Sequence, residues 1–248
     1  MKEGVAKGAR AMALTNINNT CDTWDFVDFC KEQGIKPIAG AEIRNGDTFM
    51  YVLLAKNNNS FFGINRFLST HLSGKQPFPD KPTLEDVFVI YAFDKIPAQE
   101  LGENELLGVQ TTEVNKIFRQ PVLAYPGKYV ILQPVVFQQD KRYYYLHRLL
   151  RAVDRNILLS MQLKEQVAER HATFVGQSAL LEQFSLYPSI VTNTLRVIDQ
   201  CSIDLVFHTD KTKQIYSGAR KDDKQLLAKL AREGMQKRYG HFNSRRNG

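Results

Sequence analysis

The polar residues best placed to do chemistry stand in two short stretches, Thr15-Asn16-Ile17-Asn18-Asn19-Thr20 and Glu42-Ile43-Arg44-Asn45, with Asp140 and Arg142 as a distant third group. A hydrolytic metal centre needs several nitrogen and oxygen ligands held close together. A nucleophilic centre needs Ser, Cys or Thr beside a base. The five histidines (His71, His147, His171, His208 and His241) are scattered, and spacing alone proposes no Ser/His/Asp or Cys/His set. Cys21, Cys30 and Cys201 lack metal-site spacing and read as reduced, mostly buried thiols. Glu42 reads most simply as a strand-end carboxylate bonding a neighbouring loop. Asp140 reads as an N-cap for a helix over Tyr143–Val153. His147 lies among Leu146, Leu149 and Leu150 on that helix, where a packed or surface histidine is the ordinary outcome.

The elements around these residues follow from apolar periodicity. Ala11-Met12-Ala13-Leu14 is a short apolar run, followed by a Thr/Asn-rich stretch that favours a turn. Trp24, Val27, Phe29 and Cys30 recur at helical spacing, and Gly34 sits where a C-terminal cap belongs. Ile35 to Ile43 reads as the next strand, so this stretch is a βαβ unit with parallel strands. Phe49–Ala55, Val87–Phe93, Glu105–Gln110, Pro121–Tyr125 and Val130–Phe137 read as further strands. Ser60–Thr70 and Gln110–Arg119 read as helices. The pattern predicts an α/β domain with a mostly parallel sheet, and both a near-closed barrel and an open doubly wound sheet fit it. No dinucleotide glycine fingerprint or P-loop is present. Leu14, Ile38, Val52 and Leu53 should be buried in parallel strands, with Trp24 and Phe29 covering the first two. After about Tyr143 the chain becomes helical: Tyr144–Val153, Met161–Arg170, Ser178–Phe184, Ser189–Cys201 and Asp222–Tyr239. A boundary falls near residue 205.

Charge is unevenly distributed. The net charge is +7 over 248 residues, yet from Asp210 onward there are eleven Lys/Arg against four Asp/Glu, and the first 209 residues are balanced. A basic end of this kind suits phosphate contacts, with Lys229, Arg232, Lys237 and Arg238 as candidates, or is a solvated helix face. Leu226, Leu227, Leu230 and Met235 are expected to form its apolar face. No stretch approaches membrane-spanning length and no signal-peptide core opens the chain, which predicts a soluble cytoplasmic protein without a membrane partner.

Five separated blocks resemble one family: AMALTN (11–16), GIKPIAGAE (34–42), LLAKN (53–57), PSIVTNTLRVIDQC (188–201) and LAKLAREGMQKRYG (227–240). The chain is similar to the PHP (polymerase and histidinol phosphatase) region at the N-terminus of the alpha subunit of bacterial DNA polymerase III. The resemblance implies a PHP-like distorted β/α barrel over 1–204, lacking its first strand, with trailing helices. It also implies a basic helical start of the polymerase core over 205–248, so that the chain is a piece cut at both ends. His241–Gly248 reads as disordered or as a break in the reading frame.

Active family members hold up to three metal ions with a His/Asp/Glu cluster. On the resemblance, this chain departs from that cluster at most positions. The Thr-Asp-His motif is Thr15-Asn16-Ile17 here, a family histidine is Met50, and the late Asp-x-His is Asp140 and Arg142. Glu42 and Asp140 remain as relict ligands. The resemblance therefore implies a non-catalytic PHP domain with a structural or docking role in DNA replication, and no catalytic residue, metal or cofactor in this piece. The parent would be a DNA-directed DNA polymerase using Mg²⁺. Its partners would be the rest of the alpha chain, a proofreading exonuclease and DNA. An active metal-dependent phosphoesterase or 3′–5′ exonuclease, and a basic nucleic-acid-binding module, are the alternatives.

Overall fold

Six apolar runs form one mixed sheet in sequential order: β1 (Ala11–Ile17), β2 (Lys36–Asn45), β3 (Thr48–Ala55), β4 (Val87–Ala92), β5 (Glu105–Val109) and β6 (Tyr129–Ile131). These come from a computed structural model, which describes residues 1–119, 124–207 and 215–240. The chain divides into two units, Met1–Leu205 and Val206–Gly248. Among the described residues no helix is long and apolar enough to cross a membrane.

In the first unit β1 pairs parallel with β2, and β4, β5 and β6 pair parallel in turn. β3 is antiparallel to both neighbours, so the expectation that Val52 and Leu53 lie in parallel strands is corrected there. Asn45 pairs with Thr48 across the two-residue loop Gly46-Asp47, with Gly46 at φ 62°. A two-residue loop opening on a left-handed glycine closes a hairpin, and a hairpin can only join antiparallel strands. The sheet curves as a half-barrel with helices around it. Among the described residues β1 and β6 are its edges.

Both faces of the sheet are covered. Ile38, Val52, Leu54, Phe88, Ile90, Leu106 and Val130 form one core with Val197 and Cys201, which lie on and just after α6 (Pro188–Gln200). The alternate residues Leu53, Val89, Tyr91 and Leu107 are also buried. Helix α2 (Thr23–Glu32) buries Thr23, Phe26, Val27 and Cys30. Trp24 is instead 47% exposed and Phe29 is half-buried. The buried stripe is centred on Val27 and Cys30, and Trp24 and Phe29 flank it on opposite sides. Gly34 has φ 65°, and Ile35 N–H reaches back to Cys30 O at 2.8 Å, which closes the helix as expected. Leu14 is only half-buried, because β1 has a neighbour on one side alone.

β1 runs on to Ile17, so Thr15–Ile17 is strand rather than turn. α3 (Asn58–Ser73) carries a capping box between Asn57 and Ser60. Met161–Arg170 is not a helix but two 3-10 turns, and β6 ends at Ile131 rather than running to Phe137. At that edge, α6 supplies the partners a seventh strand would otherwise give. Ile131 N–H donates to Thr194 Oγ1 at 2.9 Å, and Asn193 Nδ2 donates to Tyr129 O at 3.1 Å. Short α1 (Lys2–Ala6) and α5 (Gln177–Gln183) complete the helices, with α4 (Lys141–Asp154) treated below.

In the second unit α7 (Arg220–Tyr239) is the only helix among the described residues, and Asp223 accepts from Tyr216 N–H and Ser217 N–H before it. At 3.6 residues per turn, Leu226, Leu227 and Leu230 share one arc but Met235 falls outside it, which corrects the expected four-residue face. Residues 121–123 of the expected strand Pro121–Tyr125, with His208, His241 and His241–Gly248, lie outside the described residues.

Candidate functional site

The strand ends that a barrel-type site would use are β1 and β2. Ile17 and Glu42 are register partners, and Glu42 pairs onward with Val52. Ile17 is half exposed and offers no ligand atom. Asn16 Nδ2 donates to Cys21 O at 2.9 Å, so the amide holds the following turn. Glu42 Oε1 accepts from Arg44 Nε at 2.5 Å, two residues along the same strand, and the ion pair is mostly shielded. Glu42 therefore serves its own strand rather than a neighbouring loop.

Asn18 was not singled out by sequence, yet it locks this end of the sheet. At φ 53° it donates Nδ2 to Arg44 O at 2.9 Å, and its Oδ1 accepts from Arg44 N–H at 2.8 Å. Only its type carried a signal, since Asn tolerates the left-handed region. Met50 is buried in β3, a thioether in the core.

Asp140 caps α4, as expected. Its carboxylate accepts from Arg142 N–H at 2.9 Å and from Arg142 Nη2 at 2.7 Å. These bonds hold the Asp140 carboxyl below its usual range. Its charge is committed to Arg142.

The three described histidines, His71, His147 and His171, make local contacts. His71 Nδ1 lies 2.9 Å from Phe67 O, and its ring stacks on Phe78. His171 contacts Glu169 and Gln110. His147 lies on α4, where its Nε2 accepts from Ala168 N–H at 3.0 Å and its ring meets Phe137. An acceptor nitrogen is an unprotonated one, and burial, with Arg151 nearby, pushes the His147 pKa down.

This predicts a pH effect. A depressed folded-state pKa adds stability that is complete above about pH 6.5, the ordinary value, and is lost as pH falls through the depressed one. Thermal midpoints of wild type and His147→Gln should converge as the pH is lowered from 8 to 5. Parallel curves across that range would assign the contact no such role.

The described residues do not fit a metal cluster. Among the described residues no three of His, Cys, Asp or Glu are grouped so as to hold an ion. Of the two positions expected as relict ligands, Glu42 is bound to Arg44 and Asp140 to Arg142. A divalent ion in a hydrolytic site needs several free oxygen or nitrogen donors.

Residues 1–110 match the PHP domain family. Along almost its whole length the chain is similar to polymerases. It is 23% identical over 277 residues to DNA polymerase III subunit alpha of Halalkalibacterium halodurans, covering 95% of this chain and 24% of the relative. It is 21% identical over 296 residues to the error-prone DNA polymerase of Symbiobacterium thermophilum, covering 98% and 27%. It is 21% identical over 268 residues to DNA polymerase III subunit alpha of Pasteurella multocida, covering 92% and 23%. The chain spans about a quarter of the length of these curated relatives. The matched stretch contains β1 and β2, where Ile17 and the salt-bridged Glu42 are register partners.

Proposed function

We propose that this chain serves DNA replication as the PHP region of a polymerase of the DNA polymerase III alpha type, in a structural role without phosphodiester hydrolysis. The observation that carries this reading is the row Ile17–Glu42, in which one member has no ligand atom and the other is neutralised by Arg44. Asn16, Met50, Asp140 and Arg142 are likewise taken up by turn bonding, core packing and helix capping. The partner in this reading is the rest of a polymerase alpha chain, in the cytoplasm, with Mg²⁺ used by the polymerase centre rather than by this region. A proofreading exonuclease is a further partner of the same assembly.

The purified chain should carry no stoichiometric Zn²⁺ or Mn²⁺ and should not cleave a phosphodiester with either ion supplied. One or more tightly held ions per chain by elemental analysis, lost in Glu42→Ala, would overturn this in favour of an active phosphoesterase or exonuclease.

A nucleic-acid contact is a second element of the reading, favoured by α7, where Lys229, Arg232, Lys237 and Arg238 are all exposed. Such side chains neutralise phosphates and read no sequence. DNA binding should be weak, indifferent to sequence, and reduced by added salt and by Lys229→Glu with Arg232→Glu. Affinity that survives both changes would place the contact elsewhere.

A further inference from the structure

Residues 137–171 form a lobe whose two ends meet. Val136 N–H donates to Ala172 O at 2.9 Å, and Phe137 N–H reaches the same oxygen at 3.4 Å. This neck is fixed to the ends of β5 and β6. Gln133 Nε2 donates to His171 O at 3.2 Å, and His171 Nε2 lies 3.3 Å from Gln110 Oε1. Near the neck, Lys7 Nζ donates to Gln139 Oε1 at 2.8 Å. Inside, the lobe is tied to itself. Arg148 Nε donates to Gln162 Oε1 at 3.1 Å, Arg151 Nε to Gln166 O at 3.0 Å, and Ala168 N–H to His147 Nε2. Phe137 and Arg170 pack on the Tyr144 ring. Yet Ala152 is the one buried residue of the lobe, and Leu146, Leu149, Leu150 and Val153 of α4 are 47–69% exposed. Away from the neck, among the described residues, the hydrogen bonds from the lobe to the rest of the first unit go to Asp47 alone, which accepts from Arg151 and Arg155.

We propose that this lobe is a hinged strap, held shut by the grip of Asp47 on Arg151 and Arg155 and opening as one piece about its neck. β1, β2, β4, β5 and β6 all run in one direction, so their C-terminal ends share one rim. Asp47 follows the end of β2, and Gln110 and Gln133 follow the ends of β5 and β6. The strap therefore spans that rim, from the β2–β3 turn to the β5 and β6 ends. Segments with few buried apolar contacts are the ones that open locally at small free-energy cost. Here the missing burial leaves a single carboxylate as the far fastening. That carboxylate and both guanidinium groups are partly exposed, so salt screens the attraction between them. The internal ties of the strap travel with it and survive its opening.

Double electron–electron resonance on the full chain tests this. Spin labels go on Leu158→Cys in the strap and Phe62→Cys on α3, both exposed positions, with Cys21→Ser removing the exposed native thiol. With Asp47 intact and at low salt, this pair should give one narrow distance. Asp47→Ser keeps a turn-forming residue and removes the fastening. It should raise the share of a second, broader distance at least about tenfold, as expected for the loss of hydrogen bonds between charged groups. Salt at about 1 M should move the chain with Asp47 intact in the same direction. Labels on Tyr145→Cys and Leu158→Cys, both within the strap, should keep their distance in Asp47→Ser. An Asp47→Ser chain with an unchanged circular dichroism spectrum and one unchanged narrow distance overturns the proposal. So does a strap that unravels, read as a broadened distance between the two labels within it. If Asp47→Ser does not fold, Arg155→Gln, which leaves the hairpin and the internal ties intact, decides in its place by the same two distances.

Discussion

Gly40→Val should leave no folded protein. Gly40 lies in β2 opposite Leu54, and a Cβ built on it would sit 1.9 Å from the Leu53 carbonyl oxygen and 3.0 Å from the Leu53 carbonyl carbon. Both obstacles are backbone of the paired strand, so no rotamer change relieves them. The β2–β3 pair would have to separate, and this pair sits in the middle of the buried sheet. Overpacking by a flexible neighbour costs about 1–3 kcal/mol. A forced backbone separation belongs with the rarer losses above about 4–5 kcal/mol. Gly63→Ala in α3 is the control. Nothing lies within 4 Å of its added methyl, and alanine is the better helix former by about 1 kcal/mol. Denaturant melts of both variants decide the matter, and a cooperative Gly40→Val transition near the wild-type midpoint would refute the close approach.

Leu53→Ala should cost about 2–5 kcal/mol, as expected for a fully packed leucine. Leu53 is completely buried in β3, with Ala41 and Val89 as its register partners. For a unit of this size that loss lowers the thermal midpoint by roughly 5–15 °C. Leu14→Ala should cost less than half as much, because Leu14 is half-buried on an edge strand. Equal losses at the two positions would mean that β1 is covered on its open side, and the sheet order would need revision.

Much of the half-barrel was legible because its signals are local. Continuous apolar runs such as Phe49–Ala55 announce strands buried on both faces, and Gly34 and Asp140 act on backbone groups only a few residues away. The antiparallel turn at β3 is also written locally, in Asn45-Gly46, but the stronger βαβ pattern before it points to a parallel neighbour for Val52 and Leu53. At the candidate site, sequence identified which residues lack ligand atoms. It did not reveal that Arg44 neutralises Glu42 from its own strand, or that Asn18 ties the two strand ends together. Residues two apart on a strand share a face, but which partner each charge takes there is settled only by the folded side chains.

What the sequence by itself determined was most of the strands and helices, the lack of a ligand atom at Ile17, and the apolar spacing along α4. Each depends on residue type and on spacings shorter than a helix. Tertiary structure alone decided which way that stripe faces. Periodicity defines two sides of a helix and is blind to which one is covered. Here Asp47, about a hundred positions earlier, draws Arg151 and Arg155 inward and leaves Leu146, Leu149, Leu150 and Val153 outside. A carboxylate and two guanidinium groups meeting across that separation form one arrangement among many that the chain could make, and only the folded backbone selects it.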